Sequence, residues 1–522
     1  MAKFEIKEEF YLDGKPFKIL SGAIQYFRLH PDQWRDTLYN LKALGFNTVE
    51  TYIPWALHEP QEGQFQAEGM LDFEAYFKLV EEMGLYLIVR PTPYICAEFD
   101  FGGLPAWLLR YPSIRLRVNH PLFLEKVSHF YDWLFPKLLP YQSDQGGPIL
   151  MMQVENEYGS YAEDKAYMRS IAQMMKVRGV TVPLLTSDVT WIEALESGTL
   201  IEDDIFVTGN FGSQPKENTD NLRAFMEHYG KKWPLMCTEF WDGWFSRWSE
   251  EIVRREAEDL AQDVKEMLQL GSMNLFLLRG GTNFGFISGC SARKTKDLPQ
   301  ITSYDFDAPI TEWGQPTEKY YAVQRVTHEV FPEFEQMEPI SRQAKAYGSF
   351  TLLGTANLLD VAADITEEIL LDYPQPMEQI GQNYGYILYR SDIKNQYHEE
   401  RLKALETHDR CHFYVNQEHL ATQYREEIGD EMLFSADTKR IQIDVLVENM
   451  GRVNYGYKLG APSQSKGVKG GIMINHQFRK GWKHYALKFD QEMLAKLDCY
   501  SAPPERVKAP TFYRFEAELD DI

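Results

Sequence analysis

Two stretches of this chain run an apolar segment directly into acids. Residues 149–157 read ILMMQVENE, so Ile149 to Met152 lead to Glu155, Asn156 and Glu157. Residues 234–245 read PLMCTEFWDGWF, reaching Glu239 and then Trp241, Asp242 and Trp244. A buried carboxylate without a partner is costly, so each run must surface at its acid or deliver the acid to a site that uses it. Two carboxyls with separated ionisation can divide labour, one protonating a leaving oxygen while the other attacks carbon. Such a pair facing each other across a sugar performs glycoside hydrolysis. Taken singly, each acid reads as a solvated rim residue or a charge at a helix N-terminus. The chemical reading therefore depends on the elements that carry them.

Those elements alternate regularly. Strand-like apolar runs occupy residues 18–24, 46–53, 85–91, 149–155, 182–188, 205–211, 234–240 and 273–279, eight in all. Helical patterns lie between them, among them residues 32–43, 72–84, 163–178 and 250–270, the second opening on Asp72 and closing on Gly84. Apolar strands without alternation, separated by helices, indicate parallel strands buried on both faces. Eight such units predict an α/β fold, a (β/α)8 TIM barrel, over residues 1–335, with active residues at the C-terminal ends of its strands. A doubly wound sheet fits less well, because no Gly-rich phosphate fingerprint follows the first strand. Glu157 follows the fourth strand and Glu239 ends the seventh, so both are placed on one rim.

Beyond residue 340 the texture becomes all-β. Short runs at 347–354, 382–390, 411–419, 441–449 and 470–477 are separated by turn residues and predict antiparallel sandwich structure. Residues 336–480 are assigned to a first all-β domain. Residues 481–522 are assigned to the start of a second β domain.

Composition narrows the partners. Of 522 residues, 77 are acidic and 54 basic, a net charge of −23, which disfavours a phosphate backbone and hence nucleic acid. No apolar run approaches a membrane span, and the first residues have no apolar leader, so a cytoplasmic location is expected. The five cysteines are scattered and form neither a metal spacing nor a disulfide framework. No cofactor or metal is expected, and homo-oligomerisation is left open.

At this point the chain resembles the β-galactosidases of glycoside hydrolase family 35. The resemblance rests on SGAIQYFR (21–28), NTVETYIPWALHEP (47–60), RPTPYICAEFDFGGLPAWLL (90–109), GGPILMMQVENEYGSY (146–161), CTEFWDGWF (237–245), RGGTNFGF (279–286) and TSYDFDAPITEWG (302–314). It continues in QNYGYILYR (382–390) and LVENMGRVNYG (446–456). It implies a retaining exo-β-galactosidase with Glu157 as acid/base, Glu239 as nucleophile, and their carboxyls roughly 5–5.5 Å apart. Asn156 is implied to bind the sugar 2-hydroxyl, and Glu98 to accept from two hydroxyls. Tyr52, Cys96, Ala97, Trp241, Trp244, Tyr304, Phe306 and Tyr455 complete the implied sugar contacts, Cys96 through its backbone. Glu155 is expected to face the same way as Glu157 if the strand continues, in a supporting role. The resemblance also implies that the second β domain, residues 481–522, is galactose-binding-like and cut short, with an open sheet edge.

The chain departs from the family at Gln25, where His is common, and at Phe276, Phe306 and Trp241, where some members have Tyr. The implied substrates are β-galactoside oligosaccharides, Gal-β-1,3-N-acetylhexosamine foremost. A broad β-galactosidase acting also on lactose, another exo-glycosidase and a non-catalytic galactose-binding protein are the alternatives.

Overall fold

The computed structural model describes residues 2–293, 296–499, 501–504 and 506–519. It divides into two units, Met1–Gln343 with Val453–Gly460, and Ala344–Arg452 with Ala461–Ile522.

The first unit is built on a closed eight-stranded parallel barrel. Its strands are β1 (Leu20–Ile24), β2 (Thr48–Tyr52), β3 (Tyr86–Arg90), β4 (Ile149–Gln153), β5 (Leu184–Val189), β6 (Phe206–Asn210), β7 (Met236–Trp241) and β8 (Ser272–Arg279). They run in chain order around the barrel, and β8 closes against β1. Strands β1, β2, β4, β6 and β8 are buried at every residue, which is why their sequences lack the apolar–polar alternation of a half-exposed strand, and polar residues such as Glu50, Thr208 and Asn274 are buried with the rest. The helices follow local rules. Asp72 caps Phe73–Glu82 by accepting from the Ala75 N–H at 2.8 Å, and Gly84 leaves the helix at φ +71°.

One helix is shorter than its periodicity. The pattern at 250–270 becomes a helix only from Ala257. Asp307 takes the N–H of Arg255 at 2.7 Å and the guanidinium of Arg254 at 2.9 Å, holding the first residues in a loop. The barrel floor is sealed by a meander, Phe4–Ile6, Phe10–Leu12 and Lys15–Phe17, whose Phe4 and Phe10 pack against Ile88, Leu150 and Phe206. Its tight turn at Asp13-Gly14, both at positive φ, is the familiar hairpin dipeptide.

The second unit is an antiparallel sandwich. Its six-stranded sheet runs Glu368–Leu371, Trp482–Leu487, Tyr386–Lys394, Arg440–Glu448, Arg410–Val415, Glu418–Tyr424. A four-stranded sheet runs Met432–Phe434, Glu400–His408, Gly467–Ile474, Gln477–Phe478. Their core contains Ile387, Tyr389, Phe413, Val445, Ile472 and Trp482. Trp482–Leu487 is an inner strand of the larger sheet, so that sheet continues past residue 480. Thr511–Glu516 pairs with Thr351–Asn357 in a two-stranded sheet on which Leu353, Tyr513 and Phe515 are exposed.

Candidate active site

The loops and strand ends at the C-terminal side of the barrel enclose a cavity of about 270 Å³, close to the lower end of small-molecule pockets. Eleven of the twelve residues expected to contact sugar line it: Tyr52, Cys96, Ala97, Glu98, Asn156 and Glu157 on one part of the chain, and Glu239, Trp241, Trp244, Phe306 and Tyr455 on the other. Tyr304 lies behind the wall, where its hydroxyl donates to Glu98 Oε2 at 2.6 Å.

Glu239 is gripped by three donors. Tyr52, the last residue of β2, donates its hydroxyl to Oε1 at 2.9 Å. Arg90, the last residue of β3, donates Nη2 to the same oxygen at 2.6 Å. The Trp241 indole N–H reaches Oε2 at 3.2 Å. Burial holds the Tyr52 phenol well above its ordinary pKa, so it stays a donor. Arg90 is wholly buried, with its guanidinium 4.1 Å from the Tyr52 ring and 3.6 Å from Glu50. Trp241, one of the implied sugar contacts, also orients Glu239.

Glu157 has a poorer set of partners. Among the described residues, the donor to its carboxyl is the Asn210 amide, at 3.1 Å from Oε1. Its pKa is pushed up to about 8, first by burial and then by the charge of Glu239, against the pull of Asn210 and Arg90. Two carboxyls sharing a cavity thus differ in the number and charge of their donors, the condition under which one stays protonated near neutrality.

The turn after β4 explains how Glu155 and Glu157 part company. Glu155 and Glu157 both adopt left-handed backbone, at φ +56° and +46°, so the strand does not continue through them. Glu155 does not share the facing of Glu157. It turns away and is clamped by Arg117 at 2.9 and 2.8 Å and by the Tyr167 hydroxyl at 2.8 Å. This bidentate pair fixes the turn from beneath. Asn156 accepts at Oδ1 from Arg90 and from Gln153 Nε2, leaving its Nδ2 to donate into the cavity.

The loop after β3 carries backbone strain. Cys96, Ala97 and Glu98 stand consecutively at φ +57°, +47° and +50°, a conformation costing non-glycine residues roughly 1–3 kcal/mol each and found at ligand clamps. Arg28 braces it by donating to the Ala97 carbonyl at 2.5 Å, its guanidinium lying 3.8 Å from the centre of the Tyr304 ring. Glu98 is pushed up to about 7, by burial first, against the Tyr304 hydrogen bond and the charge of Arg28. Burial, with Glu98 and Glu157 nearby, drives the Cys96 thiol far above its ordinary pKa, so it is neutral and inert.

Aromatic rings form the remaining wall. Trp241 meets Trp244 edge-on at 5.5 Å, and Phe306 meets Phe276 edge-on at 5.7 Å. Val453–Tyr455 pairs with Cys290–Arg293, bringing Tyr455 into the wall. Gln25 lies outside the wall and braces Tyr52 by accepting its backbone N–H at 3.1 Å.

Sequence reasoning missed Arg90, Glu50, Asn210, Arg28 and Arg117. For Arg90 a signal existed: an arginine closing the apolar run LYLIVRP. Glu50, inside VETYI, is pushed up to about 7 by burial first, with Arg90 opposing.

A (β/α)8 barrel with two unequal carboxyls in an aromatic-lined mouth has the architecture of the barrel glycoside hydrolases. Comparison with known proteins makes the assignment specific. Residues 9–330 match the model for glycosyl hydrolases family 35, and residues 374–488 match that for the first all-β domain of β-galactosidase. The chain is 37% identical to a β-galactosidase of Xanthomonas manihotis over 488 residues, covering 92% of this chain and 79% of that protein. It is 35% identical to β-galactosidase 17 of Arabidopsis thaliana over 509 residues, covering 93% and 72%. It is 34% identical to mouse β-galactosidase-1-like protein 3 over 522 residues, covering 97% and 77%. The chain belongs to family 35 of the glycosyl hydrolases and is a glycoside hydrolase. Among the described residues no helix is long and apolar enough to cross a membrane.

Proposed function

We propose that this enzyme is a retaining exo-β-galactosidase in which Glu239 is the nucleophile and Glu157 the acid/base, acting on terminal β-galactose linked 1,3 to an N-acetylhexosamine. The observation that carries the role assignment is the inequality of the two acids. Glu239 accepts from Tyr52, Arg90 and Trp241, a set that includes a guanidinium. Among the described residues Glu157 has the Asn210 amide as its donor, and its pKa is pushed up to about 8.

In the first step Glu239 attacks the anomeric carbon, the bond to the leaving oxygen breaks, and Glu157 passes its proton to that oxygen. In the second, the Glu157 carboxylate takes a proton from water as the water oxygen attacks the anomeric carbon and Glu239 departs. Asn156 Nδ2 is placed to donate to the 2-hydroxyl, a contact that strengthens in the transition state. Glu98 accepts from two further hydroxyls. Trp244 and Tyr455 supply a slot for the leaving sugar, with room for an acetamido methyl against a ring.

Azide rescue tests the roles. With dinitrophenyl galactoside, Glu157→Gln should yield β-galactosyl azide, whereas Glu239→Gly should yield the α product. The opposite pattern reverses the assignment, and an α-configured first product from the unaltered enzyme would rule out retention.

A further inference from the structure

The acid/base reading leaves open which oxygen of Glu157 carries the proton, and the hydrogen bonds behind it bear on that choice. Asn210 is the last residue of β6, in register with Val189 on β5 and with Glu239 on β7, so it lies between the strands that hold the two acids. It is buried, and its amide is used at both ends. The Ser187 hydroxyl is hydrogen-bonded to Asn210 Oδ1, and Asn210 Nδ2 stands 3.1 Å from Glu157 Oε1. Ser187 also accepts the Glu157 backbone N–H at 3.0 Å through its carbonyl.

An amide oxygen accepts and an amide nitrogen donates. A hydroxyl donating to Oδ1 therefore forces Nδ2 toward Glu157, and a protonated Oε1 would point its hydrogen at that N–H. We infer that Ser187 and Asn210 form a positioning relay that reserves Glu157 Oε1 as an acceptor and leaves the catalytic proton on Oε2, the oxygen that meets the glycosidic bond. The inference rests on the acid/base role proposed for Glu157. In the glycosylation step the Oε2 proton moves to the leaving oxygen as its bond to the anomeric carbon breaks, and the resulting carboxylate keeps the Asn210 hydrogen bond. Without the relay, the carboxyl loses its aim at the glycosidic oxygen as well as the choice of protonated oxygen, so correctly aimed acid becomes a minor population.

This predicts a loss that depends on the leaving group. We would measure kcat/KM, which reports glycosylation, for Gal-β-1,3-GlcNAc, nitrophenyl galactoside and dinitrophenyl galactoside with Ser187→Ala, Ser187→Thr, Asn210→Ala and Glu157→Gln. Ser187→Ala and Asn210→Ala should lose roughly 10- to 100-fold on the disaccharide, as misaimed catalytic groups do. Both should lose much less on the dinitrophenyl substrate, whose leaving group needs no proton. Ser187→Thr keeps the hydroxyl and should restore the disaccharide rate. Equal losses on all substrates, or no rescue by threonine, would overturn the relay. Glu157→Gln separates the two ideas. If it shows the leaving-group pattern and the relay variants do not, only the relay fails; if Glu157→Gln lacks the pattern, the acid/base reading itself falls.

Discussion

In the β-sandwich, Asp409 is enclosed and meets Lys466 Nζ at 2.8 and 2.9 Å, while Glu378 meets Arg452 Nη2 at 2.5 Å and the Lys466 backbone N–H at 3.0 Å. Burial pushes the Asp409 pKa up, but Lys466 and Arg425 outweigh it and leave it below its ordinary value. In the barrel mouth, Glu157, Glu98 and Glu50 are just as buried and their pKa values rise to about 8, 7 and 7. Arg90 is divided there between Glu239 and Glu50, and Arg28 and Arg247 act on Glu98 without offsetting its burial. The sandwich buries charge in matched pairs whose effect is confined to the fold. The mouth leaves its acids undercompensated, and perturbed acids of that kind mark sites where chemistry is done.

Substitutions that remove one charge from each region should break the comparison in opposite directions. Glu239→Gln should lower kcat on the order of 10⁶-fold, the scale seen when a covalent nucleophile is deleted, with the melting temperature held near that of the unaltered enzyme. Lys466→Met strands Asp409 and should destabilise the protein by about 3–5 kcal/mol in urea unfolding, while enzyme that remains folded turns over at the normal rate. If Glu239→Gln melted the protein, or Lys466→Met slowed the folded enzyme, the division between the regions would be wrong.

A smaller effect separates two uses of the aromatic wall. Trp244→Ala and Tyr455→Ala should each remove about 1–3 kcal/mol from kcat/KM for Gal-β-1,3-GlcNAc, and much less for Gal-β-1,4-GlcNAc or nitrophenyl galactoside. Uniform losses together with a lowered melting temperature would mean that the rings only hold the wall together.

The smallest effect is on stability against pH. Glu50, Glu98 and Glu157 have raised pKa values, so their contribution is complete below the ordinary glutamate value of 4.5 and is lost as pH rises through about 7 and 8. Asp409 has a lowered pKa, so its contribution is present above the ordinary aspartate value of 3.8 and is lost as pH falls through its lower folded-state pKa. Unfolding free energies from urea titrations between about pH 5 and 8.5 should therefore fall with pH, by up to about 1.4 kcal/mol per unit crossed for each acid. Glu98→Gln should flatten the slope, and an unchanged slope would show that Glu98 is not held protonated. Over the same range kcat/KM should fall above about pH 8 as Glu157 loses its proton.

How much of this could be read beforehand differs between elements. The eight barrel strands were legible because strands covered on both faces lose the apolar–polar alternation of exposed ones, a pattern visible in each short run, whereas the burial of Glu50 within β2 was not. The start of the helix at Ala257 was not, because Asp307, fifty residues away, intercepts the N–H that would have continued it. Glu155 and Glu157 looked equivalent, since period-two alternation puts them on one side. Two left-handed residues broke that alternation and sent Glu155 to Arg117. Tyr304, one of the implied sugar contacts, has its hydroxyl on Glu98 Oε2, a partner that sequence alone did not name.

The sequence by itself determined the family, the barrel with an all-β region after it, and the strand ends on which Glu157 and Glu239 sit, because hydrophobic periodicity and short motifs are local properties. The tertiary structure decided what those acids are. Tyr52 reaches Glu239 across 187 positions, Arg90 across 149, and Asn210 reaches Glu157 across 53. The charge on a buried carboxyl depends on the donors within a few ångströms and the water excluded around it. Those neighbours come from β2, β3, β6 and β7, and they meet only when the barrel closes.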